Sequence, residues 1–111
     1  MKKYIEVAKN PAKVTHLKVE IYYNLGGYNY FTYKQEARGY YLSVSPVERI
    51  DQNGYVMETY SSFSGIKQCI KPVTRKSKKA EAEAEALADT FTDELIALVL
   101  EKNNLQLKNN E

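Results

Sequence analysis

The chain has no tryptophan, one cysteine, one histidine, two methionines and three prolines in 111 residues. Each shortage excludes something. A single thiol, Cys69, cannot close an internal disulfide, and Met1-Lys2-Lys3 runs into Glu6, Lys9 and Pro11 rather than into a signal-like apolar stretch. Together these features imply a cytoplasmic protein. The longest uninterrupted apolar run, Leu95 to Leu100, is six residues. A membrane span needs about 20, so no membrane partner is expected. His16 and Cys69 lie 53 positions apart and read as an exposed imidazole and a buried thiol, not as a catalytic pair. No CxxC or HxxxH spacing supplies a zinc site, and Asp51, Asp89 and Asp93 are dispersed. Gly26-Gly27 belongs to no GxxxxGK or GxGxxG phosphate loop. The expectation is a protein that is not an enzyme and takes no metal or cofactor.

What remains is ordinary for one soluble globular domain: 43% hydrophobic and 27% charged residues. The net charge of +2 hides an asymmetry. Residues 1–79 carry 14 Lys/Arg against 6 Asp/Glu, giving +8, and residues 80–111 carry 2 against 8, giving −6. Such a split bears on partners rather than on fold.

Seven of the ten tyrosines fall between residues 17 and 45. Tyrosine suits a sheet with one dry and one wet face. Residues 14–23 alternate, with Leu17, Val19, Ile21 and Tyr23 on one face and His16, Lys18, Glu20 and Tyr22 on the other. The reading continues with a turn at Asn24-Leu25-Gly26-Gly27, a strand over 28–34, a turn ending at Gly39, and a strand over 40–45. On that last strand Tyr40, Leu42 and Val44 face inward and Tyr41, Ser43 and Ser45 outward. Pro46 marks a bulge, an edge or a break in pairing. Asn53-Gly54 marks a hairpin between residues 47–50 and 55–61, followed by a polar loop over 61–65. Residues 66–73 form a short strand or an irregular approach to the C-terminal helix, and residues 1–13 a short strand or an arm.

From Ser77 the composition turns to Ala, Glu, Leu and Lys, and a helix over 77–104 is expected, capped by Ser77 or Thr74. Its apolar stripe comprises Ala80, Ala84, Leu87, Ala88, Phe91, Leu95, Leu98 and Val99. Ile96 and Leu100 widen it, either because the helix is buried on two sides or because it pairs with a second copy in a homodimer. Residues 105–111 read as a fraying tail. The fold class is α+β: an antiparallel sheet of four to six strands over 14–73, covered on one face by the C-terminal helix, in one domain spanning 1–111.

Two surfaces qualify for recognition. One is the outer sheet face, with Tyr22, Tyr41, one set of Tyr28/Tyr30 or Tyr33, and Lys18, Lys34 and Arg38 around them. Its rings suit a protein interface or stacking on unpaired bases. The other is the basic run Arg75, Lys76, Lys78 and Lys79, joined by Lys67 and Lys71. It is either an anion-binding helix start or a solvated linker whose cations pair with Glu81, Glu83 or Glu85.

YYNLGGYNYFTYKQEARGYYLSVSPVER and SGIKQCIKPVTRKSKKA resemble small uncharacterised proteins carried by phages and integrative elements of Firmicutes, over about residues 19 to 80. The resemblance implies genomic company rather than an activity. In architecture alone, strands followed by one helix are similar to the coactivator and Whirly-type single-stranded DNA binders. The resulting expectation is a binding protein acting by protein–protein contact, with single-stranded nucleic-acid binding as the alternative.

Overall fold

A computed structural model describes residues 1–60 and 65–108. In chain order the elements are β1 (Lys2–Glu6), β2 (His16–Asn24), β3 (Gly27–Asn29), β4 (Lys34–Glu36), β5 (Gly39–Gln52), β6 (Tyr55–Tyr60), β7 (Ile66–Pro72) and α1 (Lys78–Asn103). The polar loop expected over 61–65 falls mostly outside the described residues.

The main sheet is antiparallel and built around β5. On one side β5 pairs with β2, from His16 opposite Val47 to Asn24 opposite Gly39, and β2 in turn pairs with β1. On its other side β5 has two partners in succession: β7 against Gly39–Val44 and β6 against Val47–Gln52. Pro46 falls where that side changes partner, so its missing donor costs no ladder bond there. Of the bulge, edge or break read at Pro46, the structure has a break on this side only: Pro46 stays opposite Leu17 of β2, and β5 runs through it for 14 residues. Asn53 (φ 53°) and Gly54 (φ 79°) both take the left-handed conformation that a two-residue β5–β6 turn requires.

One expected strand is absent. Residues 28–34 do not form a third strand of the main sheet: β2 pairs directly with β5, and residues 25–38 leave the sheet as a small separate hairpin, β3–β4. The cause is local. The Asn29 side-chain oxygen accepts hydrogen bonds from the Phe31 and Thr32 N–H groups at 2.9 and 3.2 Å, and Tyr33 (φ 58°) closes the reversal by donating its N–H to the Asn29 carbonyl.

Ser77 caps α1 by accepting from the Ala80 N–H at 3.0 Å. Ala80, Ala84 and Ala88 are buried and let the front of the helix close on the sheet, while Leu95, Ile96 and Val99 fill the wider rear. They pack on Leu17, Val19, Ile21, Tyr40, Leu42 and Val44. The buried stripe is rotated from the expected one. Leu87 and Leu98 are exposed, and Thr92 is buried with its hydroxyl donated to the Ala88 carbonyl at 2.6 Å.

Of the fraying tail expected over 105–111, residues 105–108 are ordered against the fold and residues 109–111 lie outside the described residues. Asn104 adopts a left-handed conformation (φ 54°) and donates to the Glu101 carbonyl, while the Leu105 N–H reaches the Leu100 carbonyl at 2.8 Å. This glycine-type helix stop, made here by asparagine, turns the chain back and buries Leu105. Leu107 then bridges Val7, and β1 forms a strand rather than an arm.

Candidate functional site

Four exposed aromatics cluster on the β3–β4 hairpin, while Tyr55 is exposed separately on β6. Tyr30, Phe31 and Tyr33 are 77%, 96% and 76% exposed, and Tyr28 is about half exposed. Leu25 is exposed beside them. The Tyr28 and Tyr30 rings meet edge to face at 4.9 Å. Exposed rings of this density exceed the scattered apolar residues of an ordinary surface.

The hairpin is braced at its base. One Glu36 carboxylate oxygen accepts from the Asn24 side-chain amide and the other from that of Asn29, both at 3.0 Å. Lys67 of β7 reaches the Asn29-bound oxygen at 2.6 Å. The Lys67 hydrogen bond, followed by those of Asn29 and Asn24, holds the Glu36 carboxyl down at about 2. Gly26 (φ 76°) sits so close to the returning chain that a Cβ would lie 2.9 Å from the Arg38 nitrogen. Between base and tip lies a notch of about 320 Å³, lined by Tyr28, Asn29, Tyr30, Phe31 and Glu36.

The outer sheet face does not present the expected tyrosines. Tyr41 is buried, its hydroxyl donated to the Ala37 carbonyl at 2.7 Å, and Tyr22 is half-buried and stacked on it at 5.8 Å. Burial pushes both phenols above their ordinary value. Lys18 is not a free cation either: it is buried, 2.8 Å from Glu58 and 3.6 Å from Glu20. Tyr4 closes this cluster through a 2.5 Å hydrogen bond to Glu58, the main reason its phenol is raised. Burial acts to raise the Glu58 carboxyl, but donors from Lys18 and Tyr4 outweigh it and leave it lowered.

Lys34 and Arg38 are exposed on the hairpin, with the Arg38 Nε donated to the Leu25 carbonyl at 2.8 Å. Arg75, Lys76, Lys78 and Lys79 are exposed, and Lys76 lies 5.8 Å from the Tyr23 ring centroid. The Tyr40 hydroxyl bonds the Ser77 backbone at 3.3 Å, which puts this basic run at the same end of the sheet as β3–β4. Lys67 and Lys71 are committed to Glu36 and Glu83, the latter pair at 2.7 Å. Ile96 is buried within the subunit and Leu100 packs against the same core. The widened stripe therefore contributes to the core, with Leu100 only partly buried.

His16 and Cys69 do not meet. Cys69 pairs through Tyr41 with Tyr22, six residues along β2 from His16, or roughly 20 Å. Among the described residues no group of three or more His, Cys, Asp or Glu could hold a metal ion, and no helix is long and apolar enough to cross a membrane.

No family model, curated protein or solved structure matches this chain. Sequence reasoning missed Tyr30 and Phe31 as an exposed pair. The available signal was Asn29, an asparagine able to cap a reversal in the middle of an otherwise strand-like run.

Proposed function

We propose that the chain is a small, non-enzymatic binding protein that acts by protein–protein contact, with the β3–β4 hairpin as its recognition element. The observation that carries this is the exposure of Tyr28, Tyr30, Phe31 and Tyr33 on a hairpin whose base is braced by Glu36. Tyrosine and phenylalanine offer large contact areas for little conformational entropy, and a braced base lowers the cost of ordering them on binding. Lys34, Arg75, Lys78 and Lys79 around the same end suit a partner with an apolar groove and an acidic rim. Resemblance to mobile-element proteins fits a cytoplasmic protein that modulates a host or element-encoded machine.

Single-stranded nucleic acid is the second reading, because the same rings and cations can stack bases and meet phosphates. A pull-down comparing the wild type with the Tyr30→Ala/Phe31→Ala variant, followed by titration with the purified partner, tests the first reading. Loss of at least tenfold in affinity supports it, and unchanged affinity rejects it. A polarisation titration with a fluorescent oligonucleotide tests the second. Salt-sensitive binding weakened by changing Arg75, Lys76, Lys78 and Lys79 favours nucleic acid, and no binding at low salt removes it.

A further inference from the structure

At the far end of β5 from the aromatic hairpin lies a groove of about 560 Å³ between the β1–β2 loop and the C-terminal segment. Its walls are held firmly. The Asn10 side chain donates to the Ala8 and Val14 carbonyls and accepts from the Ala12 and Val14 N–H groups. Lys13 takes a left-handed conformation (φ 62°), and the Ala8 N–H bonds the Gln106 carbonyl at 2.7 Å. Sequence-distant segments are thus tied together around the opening.

The lining is strongly cationic. Lys9, Lys13, Arg49 and Lys108 line it with the His16 imidazole and one carboxylate, Glu6, which Lys108 already holds at 3.1 Å. Arg49 is the unusual member. Its guanidinium lies 4.3 Å from the centroid of the Tyr4 ring, its Nε is buried with no hydrogen-bond partner, and it makes no ion pair among the described residues. Its backbone N–H is fixed by the Thr15 hydroxyl at 2.8 Å, and that hydroxyl is 2.7 Å from the His16 Nδ1. A partly buried guanidinium that makes no ion pair among the described residues, lining one groove with an imidazole and three lysines, has the donors an oxyanion needs.

We propose that this groove binds a phosphomonoester carried on a small organic body. Several cations match the double charge of a phosphate better than the single charge of a carboxylate. The volume is far larger than a bare phosphate needs and falls in the range of small-molecule sites. Val7 and Val14 are also among the lining residues and supply part of an apolar wall for an organic body. The site is separate from the aromatic hairpin and does not depend on the partner proposed for it.

The test is a calorimetric titration of the full chain with adenosine 5′-monophosphate, with adenosine and inorganic phosphate as controls. The expected result is saturable binding of the nucleotide that weakens as salt is raised, with adenosine at least tenfold weaker. Arg49→Gln is expected to lower affinity at least tenfold, and Lys9→Glu/Lys13→Glu, on an exposed loop, at least fivefold. Should Arg49→Gln fail to fold by circular dichroism, the loop variant decides. No binding of the nucleotide at low salt, binding unchanged in the folded variants, or equal binding of adenosine overturns the proposal. Inorganic phosphate binding as tightly as the nucleotide overturns the assignment of an organic body.

Discussion

The Lys67 Nζ lies 2.6 Å from Glu36, and this contact joins β7 of the main sheet to the base of a hairpin that is otherwise outside it. Without it, a two-stranded ribbon of three residues per strand would be marginal in water. With it, the exposed rings of Tyr30, Phe31 and Tyr33 stand on a fixed mount.

Acid should release that mount. The Glu36 carboxyl is held at about 2 against an ordinary 4.5. A depressed folded value means the stabilisation is fully present above about pH 4.5, declines as pH falls, and is gone below about pH 2. Amide exchange followed by NMR should show protection of the β3–β4 N–H groups lost across that window, ahead of the main sheet. Glu36→Gln should show the low-pH behaviour at neutral pH, and protection that is flat with pH in the wild type would refute the linkage.

The Tyr4–Glu58–Lys18 cluster should behave as a partly buried unit. Lys18→Ala leaves Glu58 without its closest cation and should cost about 2–3 kcal/mol in urea denaturation, somewhat below a fully buried pair. A loss under about 0.5 kcal/mol would mean that solvent replaces the lysine freely.

Helix packing separates two kinds of apolar residue. Ala84→Leu forces three extra carbon atoms into a fully buried contact and should destabilise by at least about 1–3 kcal/mol. Leu98→Ala removes an exposed side chain and should change stability by less than about 0.5 kcal/mol. Equal effects would place the helix in a different rotation from the one described.

Leu105→Ala should cost about 2–3 kcal/mol, because this side chain is buried beyond the end of the helix. A fraying tail would give no measurable change. Asn104→Ala should add a smaller loss by disfavouring the left-handed stop.

Tyr30→Ala/Phe31→Ala should leave the denaturation midpoint unchanged, since both rings are exposed. Any effect on recognition would then be a contact effect rather than a folding one. A shift equivalent to more than about 1 kcal/mol would mean that the hairpin tip packs on something in the folded chain.

The α+β class, the C-terminal helix with a cap at Ser77 or Thr74, the period-2 alternation of β2 and the Asn53-Gly54 hairpin were legible in the residues alone. Each is written in short-range chemistry: a repeat of 2, an unbroken Ala/Glu/Leu/Lys run, a serine able to take an amide N–H, an Asn-Gly pair tolerant of positive φ. Which tyrosines face water depends on long-range packing. Tyr41 has an outward parity on its strand, yet Tyr22 and Lys67 cover its ring and the chain returns over it at Ala37. Tyr30 and Phe31 are strand formers, yet one Asn29 side chain and one left-handed tyrosine reverse the chain beneath them. The rotation of the helix and the burial of Ile96 and Leu105 were decided the same way. Periodicity states that a face exists; what lies against it depends on residues far away in the chain.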